Sequence, residues 1–279
     1  MGTLYLVATP IGNLEDITLR ALRILREAPL IAAEDTRHTR KLLSHFEIAT
    51  PTISYHEHSG PAGIKRVLSA LATGDVALVS DAGTPAVSDP GEDLVRAAIA
   101  AGYPVVPIPG PSAVVTALVA SGLPTGEFTF LGFLPRKSAE RRARLETVRD
   151  STATLVLYEA PHRLLATLDD LLATLGDRQA ALARELTKLH EEWLRGPLSA
   201  VRAHYTSGAT PRGEYTLVIA GAARAASEAV DEATQRERAR ELTRELLQQG
   251  LSTREVAARV AQATGLPRRE AYRLALDLS

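Results

Sequence analysis

The chain has no cysteine, only four lysines among its 32 basic residues, and twelve aromatic side chains in 279 residues. Without cysteine there are no disulfides, no thiolate zinc sites and no cysteine nucleophile. The four lysines (Lys41, Lys65, Lys137, Lys188) stand among abundant Ala, Leu and Arg. That pattern reads as codon bias, from which selection of Arg for its phosphate-binding fork is not separable in one sequence. Few aromatics leave little for base stacking, so recognition of a nucleic acid would rest on phosphate contacts and shape. An excess of charge of one sign is missing too: the net charge is −1, so any such contact needs a local patch. No apolar run approaches the ~18 residues of a membrane span. Met1-Gly2-Thr3 ahead of Leu4-Tyr5-Leu6-Val7-Ala8 lacks the basic region of a signal peptide and reads as the lead into a buried strand. With 45% hydrophobic residues, the expectation is a soluble, cytoplasmic globular protein with no membrane contact and about two domains.

Short apolar runs alternate with helical periodicity from residue 3 to about 110. Strands are expected at 4–8, 30–33, 76–80 and 104–108, and helices at 18–28, 36–46, 63–73 and 94–101. This is an α/β layer with a largely parallel sheet covered on both faces. Three prolines and a glycine in Pro107-Ile108-Pro109-Gly110-Pro111 end the pattern. An apolar helix follows at 112–121, then strands at 127–133, 154–158, 180–186 and 215–220 with helices at 139–149 and 163–175. Residues 222–235 read as a linker, and 236–249, 252–264 and 268–278 as amphipathic helices. Ser252-Thr253-Arg254-Glu255 is a capping box, and the last two helices have the outline of a helix-turn-helix or of a small packing bundle. The expected domains are 1–111, 112–222 and a helical module at 230–279.

Three Gly/Pro-rich loops leave strand ends: Thr9-Pro10-Ile11-Gly12-Asn13, the stretch from Ser80 to Gly91, and Pro109-Gly110-Pro111-Ser112-Ala113. Open α/β sheets bind ligands at that edge, where backbone groups and helix N-termini are free. Neither G-x-G-x-x-G nor a P-loop is present, and proline cannot donate to a phosphate. Small residues, free carbonyls and an Asp suit an uncharged nucleoside with a zwitterionic tail.

Those loops, with Ala33-Glu34-Asp35-Thr36-Arg37 and Tyr158-Glu159-Ala160-Pro161-His162-Arg163, occur in an order that resembles the tetrapyrrole-methylase superfamily of S-adenosylmethionine-dependent methyltransferases. Within it the pattern is similar to the branch that methylates the ribose 2′-OH of a cytidine in the decoding region of 16S ribosomal RNA. The resemblance covers residues 3–221. It implies two α/β domains of the class III methyltransferase type with a small C-terminal helical domain, S-adenosylmethionine in the cleft between the α/β domains, and a homodimer. The partner implied is 16S rRNA or the 30S subunit. By motif matching, Pro10, Asp81, Ala82, Gly83 and Val87 would line the cofactor site from the first domain. Ser112 and Ala113 would do so from the hinge, and Tyr158 and Glu214 from the second domain. Tetrapyrrole methylases carry a G-D-P-x-x-Y-G-like loop where this chain has Gly83-Thr84-Pro85-Ala86-Val87-Ser88, which argues against a porphyrinoid acceptor.

A ribose hydroxyl needs a general base. The candidates are Glu34, Asp35, Asp81, Glu159, Glu185 and Lys188, with Glu159 and Glu185 first as residues at strand ends. Lys188 would require a depressed pKa, which nearby arginines could provide. Bland readings stand beside these: Glu34-Asp35 charging a helix N-terminus, and Glu159 pairing with Arg163 four residues on. RNA would meet Arg37, His38, Arg40 and Lys41, with Arg136, Lys137 and Arg163. Residues 136–149 hold six bases and two acids, a basic patch or a solvated helix face. Residues 133–137 read as a mobile lid over a flipped nucleotide. Sulfonium displacement needs no metal, and His56-Glu57-His58 lacks metal-ligand spacing. Two rivals remain: a methyltransferase of the same fold acting on a tetrapyrrole or a protein side chain, and a ribosome-docking protein without activity.

Overall fold

Apolar runs of four residues form the strands β1 (Leu4–Val7), β2 (Leu30–Ala33) and β4 (Val76–Val79), with β3 (Thr52–Ser54) and β5 (Val105–Ile108) at the edges of the sheet. All five are parallel, in the order β3-β2-β4-β1-β5. The structure, a computed structural model, describes residues 2–223 and 226–278, and of 226–234 the backbone alone. Helices α1 (Leu19–Glu27) and α2 (Thr36–His45) cover one face through Ala21, Leu25 and Leu43. Helices α3 (Gly60–Leu71) and α4 (Glu92–Ala100) cover the other through Val67, Leu71, Leu94 and Ala98. Pro107 is tolerated because β5 is an edge strand, where one side of the ladder is open. The three half-buried residues of β3 are too few to show a period, so the sequence reading passed over that strand.

After α5 (Ala113–Ala120) comes a mixed sheet in the order β6-β7-β10-β8-β9. Its strands are β6 (Phe128–Phe133), β7 (Thr154–Glu159), β8 (Gln179–Arg184), β9 (Glu192–Pro197) and β10 (Tyr215–Ile219). Helices α6 (Ser138–Glu146), α7 (Leu164–Leu175) and α8 (Leu198–Thr206) pack Leu145, Leu168, Leu171 and Val201 on one face. Helix α5 packs Val114, Ala117 and Leu118 on the other. Strand β9 and helix α8 are absent from the sequence reading because Glu192–Pro197 carries charge, Gly and Pro in place of an apolar run.

Compactness divides the chain after Ala222, both sheets lying in the first unit. The second unit holds α9 (Ala226–Gln248), α10 (Thr253–Thr264) and α11 (Arg268–Asp277) around Ala239, Leu246, Val256, Val260, Ala271 and Ala275. The capping box forms as read, Ser252 N–H donating to Glu255 at 3.0 Å, and Gly265 ends α10 in the left-handed region at φ 74°. The linker expected at 222–235 is a correction: α9 starts at Ala226, because an Ala- and Glu-bearing segment favours helix however polar it is. Of that expected linker, Arg224 and Ala225 lie outside the described residues. No helix among the described residues is long and apolar enough to cross a membrane.

The basic character of residues 136–149 is partly consumed inside the fold. Arg141 is buried and donates from Nε to Asp170 at 2.7 Å, and Arg142 bonds the same carboxylate at 2.5 Å. Burial pushes the Asp170 carboxyl up, but the arginines and the Ser138 hydroxyl outweigh it and hold it below its ordinary range. Removing one partner of a buried pair leaves an uncompensated charge, so Asp170→Ala should lose about 3–5 kcal/mol of stability in urea denaturation. An equally stable variant would show that the pair contributes nothing.

Candidate active site

The three Gly/Pro loops leave adjacent strands β4, β1 and β5 at their carboxyl ends and are tied to one another. Thr9 and Gly83 exchange backbone bonds of 2.8 and 3.0 Å, and the Thr84 hydroxyl donates to the Pro111 carbonyl at 3.2 Å. In the second sheet, β10 runs antiparallel between β7 and β8, so Tyr215 lies opposite both Glu159 and Arg184. That register gathers Glu159, Glu185 and Glu214 at one edge although they are far apart in the chain. The two sets of loops meet where Asn13 N–H donates to the Thr187 hydroxyl at 3.1 Å.

Between them is a cavity of ≈ 380 Å³, within the range of small-molecule sites. Seven of the nine residues expected at the cofactor line it: Ala82, Gly83, Val87, Ser112, Ala113, Tyr158 and Glu214. Pro10 and Asp81 do not. They line a second recess of ≈ 270 Å³ with Thr9, His38, Lys41 and Ser80, because the loop after β4 turns between the two hollows at residues 81 and 82. The larger cavity also takes in Phe133 of the expected lid, and Ile11, Thr84, Ser88, Asp89 and Leu186, none of which was named from the sequence as a site residue. The signal for Asp89 was available in the Ser88-Asp89-Pro90-Gly91 turn, whose backbone is left-handed at Ser88 (φ 62°) and Gly91 (φ 140°). Tyr158 stacks edge-on against Phe130 at 5.0 Å and tilts against Phe133 at 5.5 Å, forming an aromatic wall. Small and apolar side chains with polar groups at the margins fit a nucleoside carrying a charged tail.

A family model described as Tetrapyrrole (Corrin/Porphyrin) Methylases matches residues 3–202. The chain belongs to the tetrapyrrole methylase family. A second model, the RsmI C-terminal HTH domain, matches residues 232–279. A protein named ribosomal RNA small subunit methyltransferase I from Halalkalibacterium halodurans is 50% identical over 98% of this chain and 94% of its own length. Its namesake from Bacillus subtilis is 42% identical over 98% and 93%. Among solved structures, a Thermus thermophilus uroporphyrin-III C-methyltransferase in complex with S-adenosylhomocysteine aligns with TM-score 0.55 and 22% identity, over 78% of this chain and 97% of that one. A diphthine synthase aligns with TM-score 0.62 and 16% identity, over 79% and 90%. At such identities the two structures show the tetrapyrrole methylase fold alone.

Within this methylase fold, several candidate residues have roles that the sequence did not reveal. Glu159 lines the cavity, but its side chain is buried and already engaged. It accepts from the Ala160 N–H at 2.8 Å and the Thr167 hydroxyl at 2.5 Å, and faces Arg163 Nε at 3.3 Å. Arg163 in turn donates to the Leu134 and Pro135 carbonyls, at 2.5 and 3.2 Å. Arg163 thus fastens the backbone of residues 134 and 135, inside the segment 133–137 expected to act as a lid. Lys188 Nζ lies 2.9 Å from both Glu185 and Glu214. Burial works against the Lys188 charge, but the two carboxylates outweigh it and hold the ammonium above its ordinary value. The depressed lysine expected from nearby arginines is thus corrected: its neighbours are acids. Burial pushes Glu185 up, yet Lys188 and the Glu214 N–H prevail and hold it low. Asp35 caps α2, and Arg37 holds it down at about 2. Glu34 accepts from Asp81 N–H at 3.2 Å. Arg37, Arg40, Lys41, Arg136 and Lys137 are exposed. Among the described residues, no group of three or more His, Cys, Asp or Glu is arranged to hold a metal ion.

Asp89 differs from all of these. Burial pushes its carboxyl up to about 6; the Ser80 hydroxyl opposes this, and the Glu34 and Asp81 charges reinforce it. Across the cavity, burial and then the Asp89 charge push the Tyr158 phenol up to about 12. An acid raised in the folded state binds its proton more tightly there than in the unfolded chain. The stability it contributes is full below its ordinary 3.8 and is lost as pH rises to about 6. Asp89→Asn should therefore melt above the wild type near pH ~7.5, with the gap closing near pH ~4, in calorimetry at both values. A variant that melts lower at neutral pH would refute the assignment.

Proposed function

We propose that the chain is an S-adenosylmethionine-dependent methyltransferase that methylates the ribose 2′-OH of a cytidine in the 16S RNA of the small ribosomal subunit, in the cytoplasm. The observation that carries this reading is likeness along the whole chain, C-terminal module included, to proteins named ribosomal RNA small subunit methyltransferase I. One from Pseudomonas aeruginosa is 48% identical over 99% of this chain. S-adenosylmethionine supplies an electrophilic methyl group on a sulfonium. Ala82, Gly83 and Val87, then Ser112 and Ala113, then Tyr158 and Glu214 are the residues positioned to hold it. Pro10 and Asp81 take part from the rim of the second recess. Holding cofactor and acceptor in one cavity supplies much of the catalysis, because effective molarity is worth ~7–11 kcal/mol. Arg37, Arg40, Lys41, Arg136 and Lys137 offer phosphate contacts, which position RNA without reading its sequence. Glu185 and Lys188 act as a charge clasp at the cavity mouth and Glu159 as a brace for its wall. The sheet of residues 4–108 and the sheet of residues 128–219 serve as the two α/β domains.

A homodimer is supported by α5, which is apolar all round yet packs only one face. Val115 and Val119 are 51% and 67% exposed, where a helix of that composition is normally covered. Val119→Glu should shift the protein from dimer to monomer in sedimentation velocity, and an unshifted dimer would place the interface elsewhere.

The functional test is methyl transfer from labelled S-adenosylmethionine to small subunits purified from cells lacking the endogenous modification, followed by nucleoside analysis. Label in 2′-O-methylcytidine is the expected result. Cofactor binding with no label in RNA would send the reading back to a tetrapyrrole or protein acceptor.

A further inference from the structure

Helix α11 buries Ala271 and Ala275 in the core it shares with Ala239 of α9 and with Val256 and Val260 of α10. Arg268, Arg269, Tyr272, Arg273 and Leu276 point the other way and are all exposed, Tyr272 at 45% and Leu276 at 52%. Spacings of three and four residues join these five into one continuous face. None of the three arginines forms a hydrogen bond or an ion pair with a described residue. Glu270 and Asp277, three and four residues from Arg273, lie at the margin of the face and do not pair with it. Other helices of the chain answer their surface arginines with acids: Arg23 with Glu27, Arg96 with Glu92 and Asp93, Arg149 with Glu146. Helix stability does not explain the difference. Arg268 and Arg269 occupy the first turn of α11, where the helix dipole disfavours cations. Tyr272, one of only twelve aromatic side chains in the chain, stands open among them.

We propose that this face of α11 docks on the sugar–phosphate backbone of RNA, with Arg268, Arg269 and Arg273 each taking a phosphate and Tyr272 packing against a sugar or an unpaired base. The inference rests on the reading above that the acceptor lies in ribosomal RNA. Charge complementarity selects this occupant. A nucleic-acid strand carries a phosphate on every nucleotide, so neighbouring guanidiniums are met together, and their planar forks match phosphate oxygens. An exposed aromatic ring between them suits a ribose or a splayed base. The chain as a whole has a net charge of −1 and cannot hold RNA without such local patches. The compact unit that carries α11 contributes no lining residue to the two cavities described above. Phosphate contacts there add affinity without reading sequence, and the choice of nucleotide stays with the first unit.

The experiment uses the full chain in three forms: wild type, a triple variant with Arg268→Ala, Arg269→Ala and Arg273→Ala, and a second triple variant with Lys at the same positions. Binding to unmodified small subunits and to a protein-free 16S transcript is measured across a salt series. The Ala variant should bind both about 10²-fold more weakly at ~0.15 M salt, and its slope of log affinity against log salt should flatten by about 2–3. The Lys variant, which keeps the charges, should keep the wild-type slope. In methyl transfer to the subunits the Ala variant should raise KM in step with Kd, while kcat and S-adenosylmethionine affinity stay within about twofold of the wild type. An Ala variant of wild-type affinity and slope overturns the proposal. Weakened binding to subunits but not to the bare transcript also overturns it, and gives the face to an acidic protein surface. So does a loss confined to kcat or to cofactor affinity, which would make the arginines structural. A wild type that binds both RNAs but methylates neither sinks the functional reading and leaves the docking to be decided by the salt slopes. A wild type that binds neither sinks both.

Discussion

A methyl group at position 12 would stand 2.8 Å from the Leu186 carbonyl oxygen and 2.8 Å from the Thr187 hydroxyl. The loop after β1 can reach the loop after β8 only because Gly12 has no side chain, and the Asn13–Thr187 hydrogen bond closes that contact. Everything about the cavity depends on this approach. It sets the distance between the Gly/Pro loops of the parallel sheet and the strand ends of the mixed sheet, and so the width of the space in which a ligand can lie. It also brings Lys188 alongside the first set of loops, since its Cγ lies 2.5 Å from where a Cβ at residue 12 would be.

Charge around the cavity is arranged by the same economy of space. Arg163 and Arg141 donate to carbonyls of Leu134, Pro135 and Arg136, tying that loop to the elements that carry the two arginines. Lys188 is shared by two carboxylates, so that cluster keeps a single net negative charge. The uncompensated acid is at the other end, where Asp89 shares a neighbourhood with Glu34 and Asp81.

Much of this was legible before any coordinates. Four-residue apolar runs announce strands covered on both faces, and the Gly/Pro loops mark the carboxyl edge where most of the expected cofactor residues do converge. The strands that escaped notice are those whose identity is purely tertiary. Thr52–Ser54 pairs with β2 and Glu192–Pro197 with β8, neither having an apolar run to advertise it. Long-range partners escaped for the same reason. Arg141 and Asp170 are 29 residues apart, so nothing local distinguishes a buried arginine from its solvent-facing neighbours on a basic helix.

Sequence by itself determined the periodicities, the turns, the absence of thiol chemistry and the family, because each of these is written in residues close together or in a fixed order. Tertiary structure alone decided what each carboxylate is set against. Glu159, Glu185, Glu214 and Asp89 are equivalent as letters. They differ only in what the fold sets beside them: a half-buried guanidinium for the first, an ammonium for the next two, and for Asp89 a hydroxyl and two like charges. Proton affinity is a property of those surroundings, summed over groups that the chain brings together only when it folds.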